Sequence, residues 1–189
     1  MIELDFNNYQ IKCCDEYEFK PDSADNVFQY NHLYDEDRDY YKSSFGVKVY
    51  ENEQLIDSAF VSSWGGGTAI HETSVIIDDG ALLVCCGHSV FCLRIPTLEM
   101  SWQVIADSAT CFEIFSIQGG YIVHGELQIT KLDKNGIIIW QTSGADIFVT
   151  LEGNERFEVT ESCIIATDWN NDVYKIGFDG KVISDTVKR

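Results

Sequence analysis

The run Asp35-Glu36-Asp37-Arg38-Asp39-Tyr40-Tyr41 is the densest group of charged and aromatic residues in the chain. Acids at Asp35, Asp37 and Asp39 have the spacing that opens a calcium loop. Such a loop needs glycine at its sixth position and glutamate at its twelfth, and here those are Tyr40 and Gly46. The run therefore reads as a solvated loop or as a docking loop for a basic partner, with Tyr34, Tyr40 and Tyr41 as rigid contact area. Cys85, Cys86, His88 and Cys92 lie close together, but neither a CxxC pair nor a second ligand pair at zinc spacing is present. They read as core thiols with a turn histidine. His71 and His124 stand isolated and read as ordinary strand or loop residues. Ser63-Trp64-Gly65-Gly66-Gly67-Thr68 is glycine-rich, yet lacks the Lys-Ser/Thr ending of a phosphate-binding loop. It is expected to be a flexible turn that exposes Trp64. No spacing of Ser, Cys, His or carboxylate selects a catalytic set, and no cofactor or metal site emerges.

Charge narrows the partners. The formal net charge is −18 and the pI is about 4.3. Nucleic-acid backbones and anionic membranes would be repelled, whereas a basic protein would be steered in. Between Lys48 and Lys131 the only Lys or Arg is Arg94. That stretch should present a continuous negative field. The start of the chain shows no basic, apolar leader, and the apolar runs are too short to span a bilayer. Most of the seven cysteines sit inside apolar strand-like runs, which suits a reduced, cytoplasmic setting.

These residues must be positioned by strands. Three stretches, starting at Ser74, Phe115 and Phe157, can be laid over one another, and each reads as four short strands. Ile, Val, Phe, Tyr and Trp fill the strands, and turns such as Lys134-Asn135-Gly136 and Asp179-Gly180 supply residues that tolerate positive φ. Trp102 and Trp140 hold one place in the first two units, and Ser184 holds it in the third. The segment Thr130-Lys131-Leu132-Asp133-Lys134-Asn135-Gly136-Ile137-Ile138-Ile139-Trp140 resembles the blade signature of quinoprotein-like and WD-like β-propellers. Tyr174 to Ile183 is similar without the Trp, and Arg94 to Trp102 keeps the Trp but has Pro96-Thr97-Leu98 in place of the glycine turn. The resemblance implies a fold and carries no cofactor residues.

The expectation is an all-β, propeller-like array of four-stranded antiparallel units, three clear and one degenerate, with an open β-sandwich as the alternative. It is a single β-repeat domain over 1–189: three units over 74–189, preceded by an irregular part over 1–63 with an acidic insertion at about 20–44. The front part carries two hairpins, Ile2–Phe6 with Gln10–Cys14 and Phe45–Tyr50 with Gln54–Val61, and a short helix is expected after Ser23. The function classes left are a non-catalytic module of immunity or inhibitor type that binds a basic protein, or a small-molecule or carbohydrate-binding β-repeat protein or enzyme using Trp64, Trp169 and nearby acids. For the first, Asp35, Glu36, Asp37, Asp39, Tyr40, Tyr41 and Trp64 are the candidate contacts. Nothing in the sequence sets an oligomeric state.

Overall fold

The computed structural model describes residues 1–35, 42–150 and 157–186, and these form strands and turns without a helix. No helix there is long and apolar enough to cross a membrane.

The first sheet holds β1 (Ile2–Phe6), β2 (Tyr9–Asp15), β3 (His32–Asp35), β4 (Lys42–Glu51) and β5 (Gln54–Trp64), in the order β1-β2-β4-β5-β3. The second runs in chain order through β6 (Val75–Asp78), β7 (Ala81–Cys86), β8 (Ser89–Arg94) and β9 (Met100–Ile105). The third comprises β10 (Cys111–Ile117), β11 (Gly120–Gly125), β12 (Ile129–Asp133) and β13 (Ile138–Thr142). The fourth comprises β14 (Glu158–Val159), β15 (Ile164–Thr167), β16 (Val173–Ile176) and β17 (Val182–Thr186).

One irregularity recurs in all four sheets. Between their third and fourth antiparallel strands an extra residue bulges, at Ile56, Ser101, Ile139 and Ile183 in turn. A bulge bends the strand and increases its twist. Its recurrence identifies the first sheet as a true member of the repeat, and the residue after the bulge is Asp57, Trp102, Trp140 or Ser184.

The blades pack face to face through three apolar clusters. Val47, Val61, Val84 and Phe91 join the first two blades. Leu83, Val90, Ile114 and Val123 join the second and third, and Ile122, Phe148, Ile164 and Tyr174 join the third and fourth. Among the described residues no cluster joins the fourth blade to the first. The two middle tryptophans fasten each blade to the next. Trp102 lies on Gly136, where an added Cβ would meet the ring at 2.5 Å, and Trp140 lies on Gly180 at 2.7 Å. Both glycines have positive φ, 78° and 82°. The Trp140 indole also donates to Phe178 O at 3.0 Å.

The segment between β2 and β4 departs from the expected irregular insertion. Its end forms β3, which adds to β5 in parallel. Tyr34 on β3 then does at the first junction what tryptophan does at the others: its hydroxyl donates to Leu98 O and accepts from the Met100 N–H, both at 3.0 Å. The helix expected after Ser23 is absent. Ser23 Oγ accepts instead from the Asp25 N–H at 3.2 Å, and the Asn26 amide ties back to Lys20 O at 2.7 Å. Such local bonds offer the backbone an alternative to helix. Phe19, Phe28 and Tyr30 fold over Phe60 on the outward face of the first blade, with the Lys48 ammonium 3.8 Å above the Phe28 ring.

Candidate functional site: the acidic end and inner edge

β7, β11 and β15 all finish at one end of the blades, called the upper end here. The loops there are laced from blade to blade by backbone bonds. His88 N–H donates to Trp64 O at 2.7 Å, Cys111 N–H to Gly87 O at 2.7 Å, and Glu126 N–H to Thr110 O at 2.9 Å. Phe148 N–H donates to Glu126 O at 2.7 Å and Trp169 N–H to Ile147 O at 2.8 Å. Asp107 is the central clamp. Its buried carboxylate accepts from the N–H groups of Ala109, Thr110, Leu127 and Gln128 at 2.6 to 3.1 Å, which joins the second blade to the third. In the fourth blade Asp168 accepts from the N–H groups of Asn170 and Asp172, both at 3.0 Å, and from the Tyr174 hydroxyl at 2.8 Å.

From Trp64 onward the described loops at this end, 64–74, 87–88, 106–110, 126–128, 143–150 and 168–172, contain no Lys or Arg; in the first blade Lys42 opens β4 at this end opposite Trp64. They carry Glu72, Asp107, Glu126, Asp146, Asp168 and Asp172. Burial, and then the neighbouring Asp107 charge, push the Glu126 carboxyl above its usual range. A cation placed there would relieve that repulsion. At the opposite end the basic residues are spoken for: Arg94 pairs with Glu99, Lys134 with Asp78, and Lys181 with Asp179 at 3.1 Å. Apolar contact area at the upper end comes from Leu127, 38% exposed, and Trp169, 39% exposed.

The inner edge of the array is formed by the first strand of each sheet, β1, β6, β10 and β14, and these strands likewise contain no Lys or Arg. Glu113 on β10 accepts from Thr73 Oγ1 at 2.6 Å, and its other oxygen lies 2.8 Å from His124 Nδ1. The second ring nitrogen of His124 is 3.2 Å from Phe148 O, and the ring stacks on Phe157 at 4.1 Å and 3°. Burial pushes the Glu113 carboxyl up, but the bonds from His124 and Thr73 outweigh it and hold it below its ordinary value. Reading His71 and His124 as isolated is therefore incorrect. His124 ties the third blade to the lead-in of the fourth, and His71 Nδ1 lies 3.1 Å from Thr73 Oγ1. The only sequence signal for this group was a histidine inside an apolar strand.

The sequence-derived contacts fall as follows. Asp35 ends β3 and pairs with Lys42 at 2.9 Å. Glu36, Asp37, Asp39, Tyr40 and Tyr41 lie outside the described residues. Trp64 closes β5 rather than standing on a loop; it is half-buried, and its ring meets His88 edge-on at 5.5 Å. The glycines beside it are not uniformly a flexible turn. A Cβ on Gly65 would lie 2.3 Å from Ala109 O, so the second-blade loop packs directly on it, while Gly67 has open space. Among the described residues no cluster of three or more His, Cys, Asp or Glu is arranged to hold a metal. Burial suppresses two of the core thiols in particular, pushing Cys13 up to about 12 and Cys92 up to about 11.

No family model and no curated protein matches the chain. Solved structures do. The WD40 domain of Neurospora crassa Pan2 is similar with a TM-score of 0.50 at 13% identity, over 60% of this chain and 37% of that one. This is a β-propeller blade array. The computationally designed Ika8 protein gives a TM-score of 0.55 at 9% identity, over 78% of this chain and 46% of that one. BamB from Moraxella catarrhalis gives 0.49 at 18% identity, over 74% and 43%. The array thus spans less than half the length of each of these solved chains.

Proposed function

We propose that the array is a non-catalytic protein-binding module that receives a basic partner, in the manner of an immunity or inhibitor protein. One observation carries the reading: the described upper loops from Trp64 onward and the inner strands hold acids and no Lys or Arg. Clustered charge of one sign steers an oppositely charged protein and selects against acidic ones. The suppressed Cys13 and Cys92 thiols and the fully engaged Asp107 and Asp168 support binding over nucleophilic or acid–base chemistry.

Pull-down from native cell lysate with a salt titration tests it. A basic partner should be retained at low ionic strength and released as salt shortens the screening length. Failure to recover any partner at low salt, or retention that ignores ionic strength, would overturn the proposal.

A further inference from the structure

The upper end carries an open cleft where three loops meet. Ser108, Leu127, Ser143, Ala145, Asp146 and Ile147 line it. Two buried carboxylates fix its walls. Asp107 accepts from the Ala109 and Leu127 N–H groups at 2.6 and 2.9 Å, and so locks the loops bearing Ser108 and Leu127 together. The Tyr174 hydroxyl donates to Asp168 at 2.8 Å and accepts from the Ala145 N–H at 2.9 Å, which anchors the third loop to the fourth blade. The cleft is thus shaped before anything enters it, and little ordering cost remains on binding.

The lining joins apolar surface to one charge. Leu127 is exposed, Ile147 is half-buried, and the exposed Asp146 supplies the carboxylate. Clefts at the lower end hold cations of their own, Lys131 in one and Arg94 with Lys134 in another, whereas no Lys or Arg lines this one. Each Asp146 oxygen already accepts one bond, from the Ile147 N–H at 2.8 Å and from the Asn170 amide at 3.1 Å. That leaves room for a compact ammonium and less for the two parallel bonds of a guanidinium fork.

We infer that this cleft receives a lysine side chain of the basic partner, with its methylene stem along Leu127 and Ile147 and its ammonium on Asp146. The inference rests on the binding function proposed above and names one contact point within the acidic surface. A lysine stem buries against apolar surface while its head stays at the rim. The Ser108 and Ser143 hydroxyls offer further acceptors for the three ammonium donors.

The test is fluorescence anisotropy with labelled nona-lysine and nona-arginine, on the full chain at low ionic strength. Wild type should bind nona-lysine at least as tightly as nona-arginine. Asp146→Asn should weaken nona-lysine about fivefold. Leu127→Ser, which leaves the charge unchanged, should weaken it about threefold. Glu72→Gln removes the same charge as Asp146→Asn but lies outside the cleft, beside Ile2 and Leu4, and should cost less than about twofold. All three side chains are exposed, and the asparagine keeps an oxygen for the Ile147 N–H. Thermal unfolding shows whether each variant is folded, and either cleft variant carries the test if the other is not. Wild-type affinity in Leu127→Ser, with Asp146→Asn losing no more than Glu72→Gln, overturns the cleft and leaves the binding function standing. Tighter binding of nona-arginine than of nona-lysine also overturns the lysine assignment. No binding of either peptide by wild type at low salt overturns both the cleft and the binding function.

Discussion

Gly136 and Trp102 form one unit of the repeat reduced to two residues. The glycine holds a φ of 78°, and its missing Cβ is the space the indole fills. Gly136→Ala therefore meets a left-handed backbone and a ring at 2.5 Å together. The expected loss is about 2 kcal/mol, read from the denaturant midpoint. Gly67→Ala, with nothing within 4 Å, should stay within about 0.5 kcal/mol of wild type. Equal losses at the two positions would contradict the assigned contact. A second residue-scale outcome concerns acid. The folded Glu113 carboxyl lies below its ordinary value, so the unfolded chain takes up that proton first as pH falls. Its contribution is present above about pH 4.3 and is lost on descent through the folded value. Glu113→Gln should be less stable at neutral pH and should flatten the acid limb of the midpoint-versus-pH curve. An unchanged acid limb would assign the acid sensitivity to other carboxylates.

At the scale of elements, β3 is the departure from a plain four-strand blade, and Tyr34 makes it an integral part of the first junction. Tyr34→Phe removes one donor to Leu98 O and one acceptor for the Met100 N–H. The expected cost is about 1 kcal/mol. Hydrogen exchange should rise at the Met100 amide while the Trp140 junction stays protected; no change at Met100 would mean that β3 only decorates the edge. The sequence made the three rear units legible because local signals agreed there: glycine turns, alternating apolar strands and a recurring tryptophan. β3 escaped notice because a short strand paired in parallel to a distant one leaves no local turn, and its residues His32-Leu33-Tyr34-Asp35 sit in a polar context. The acid-rich surface was legible as the stretch with Arg94 as its only Lys or Arg, since charge survives folding unchanged. The convergence of Thr73 and Phe157 on the Glu113–His124 cross-strand pair of the third blade was not, because Thr73 and Phe157 lie on the lead-ins of the second and fourth blades and reach that pair only through blade stacking.

For the whole molecule, the same charge that would attract a partner opposes the folded state. A net charge of −18 on a compact chain repels itself, and unfolding spreads those charges apart. Ion pairs act in the other direction. The exposed pairs Lys12 with Glu3 and Arg94 with Glu99 are each worth about 0–1 kcal/mol. Added salt weakens both effects, so the sign of the response tells which dominates. Local pairs at contact distance are screened less than repulsion between acids that are spread over the surface and act at longer range. The melting temperature should therefore rise as sodium chloride is raised from low to physiological concentration, by several degrees, and then level off. A basic partner docked on the acidic surface should produce the same stabilisation at low salt and progressively less at high salt, because salt and partner would be neutralising the same charges. A melting temperature that falls with salt would show that the ion pairs outweigh the repulsion, and would remove the energetic reason for the acidic surface to seek a cationic partner.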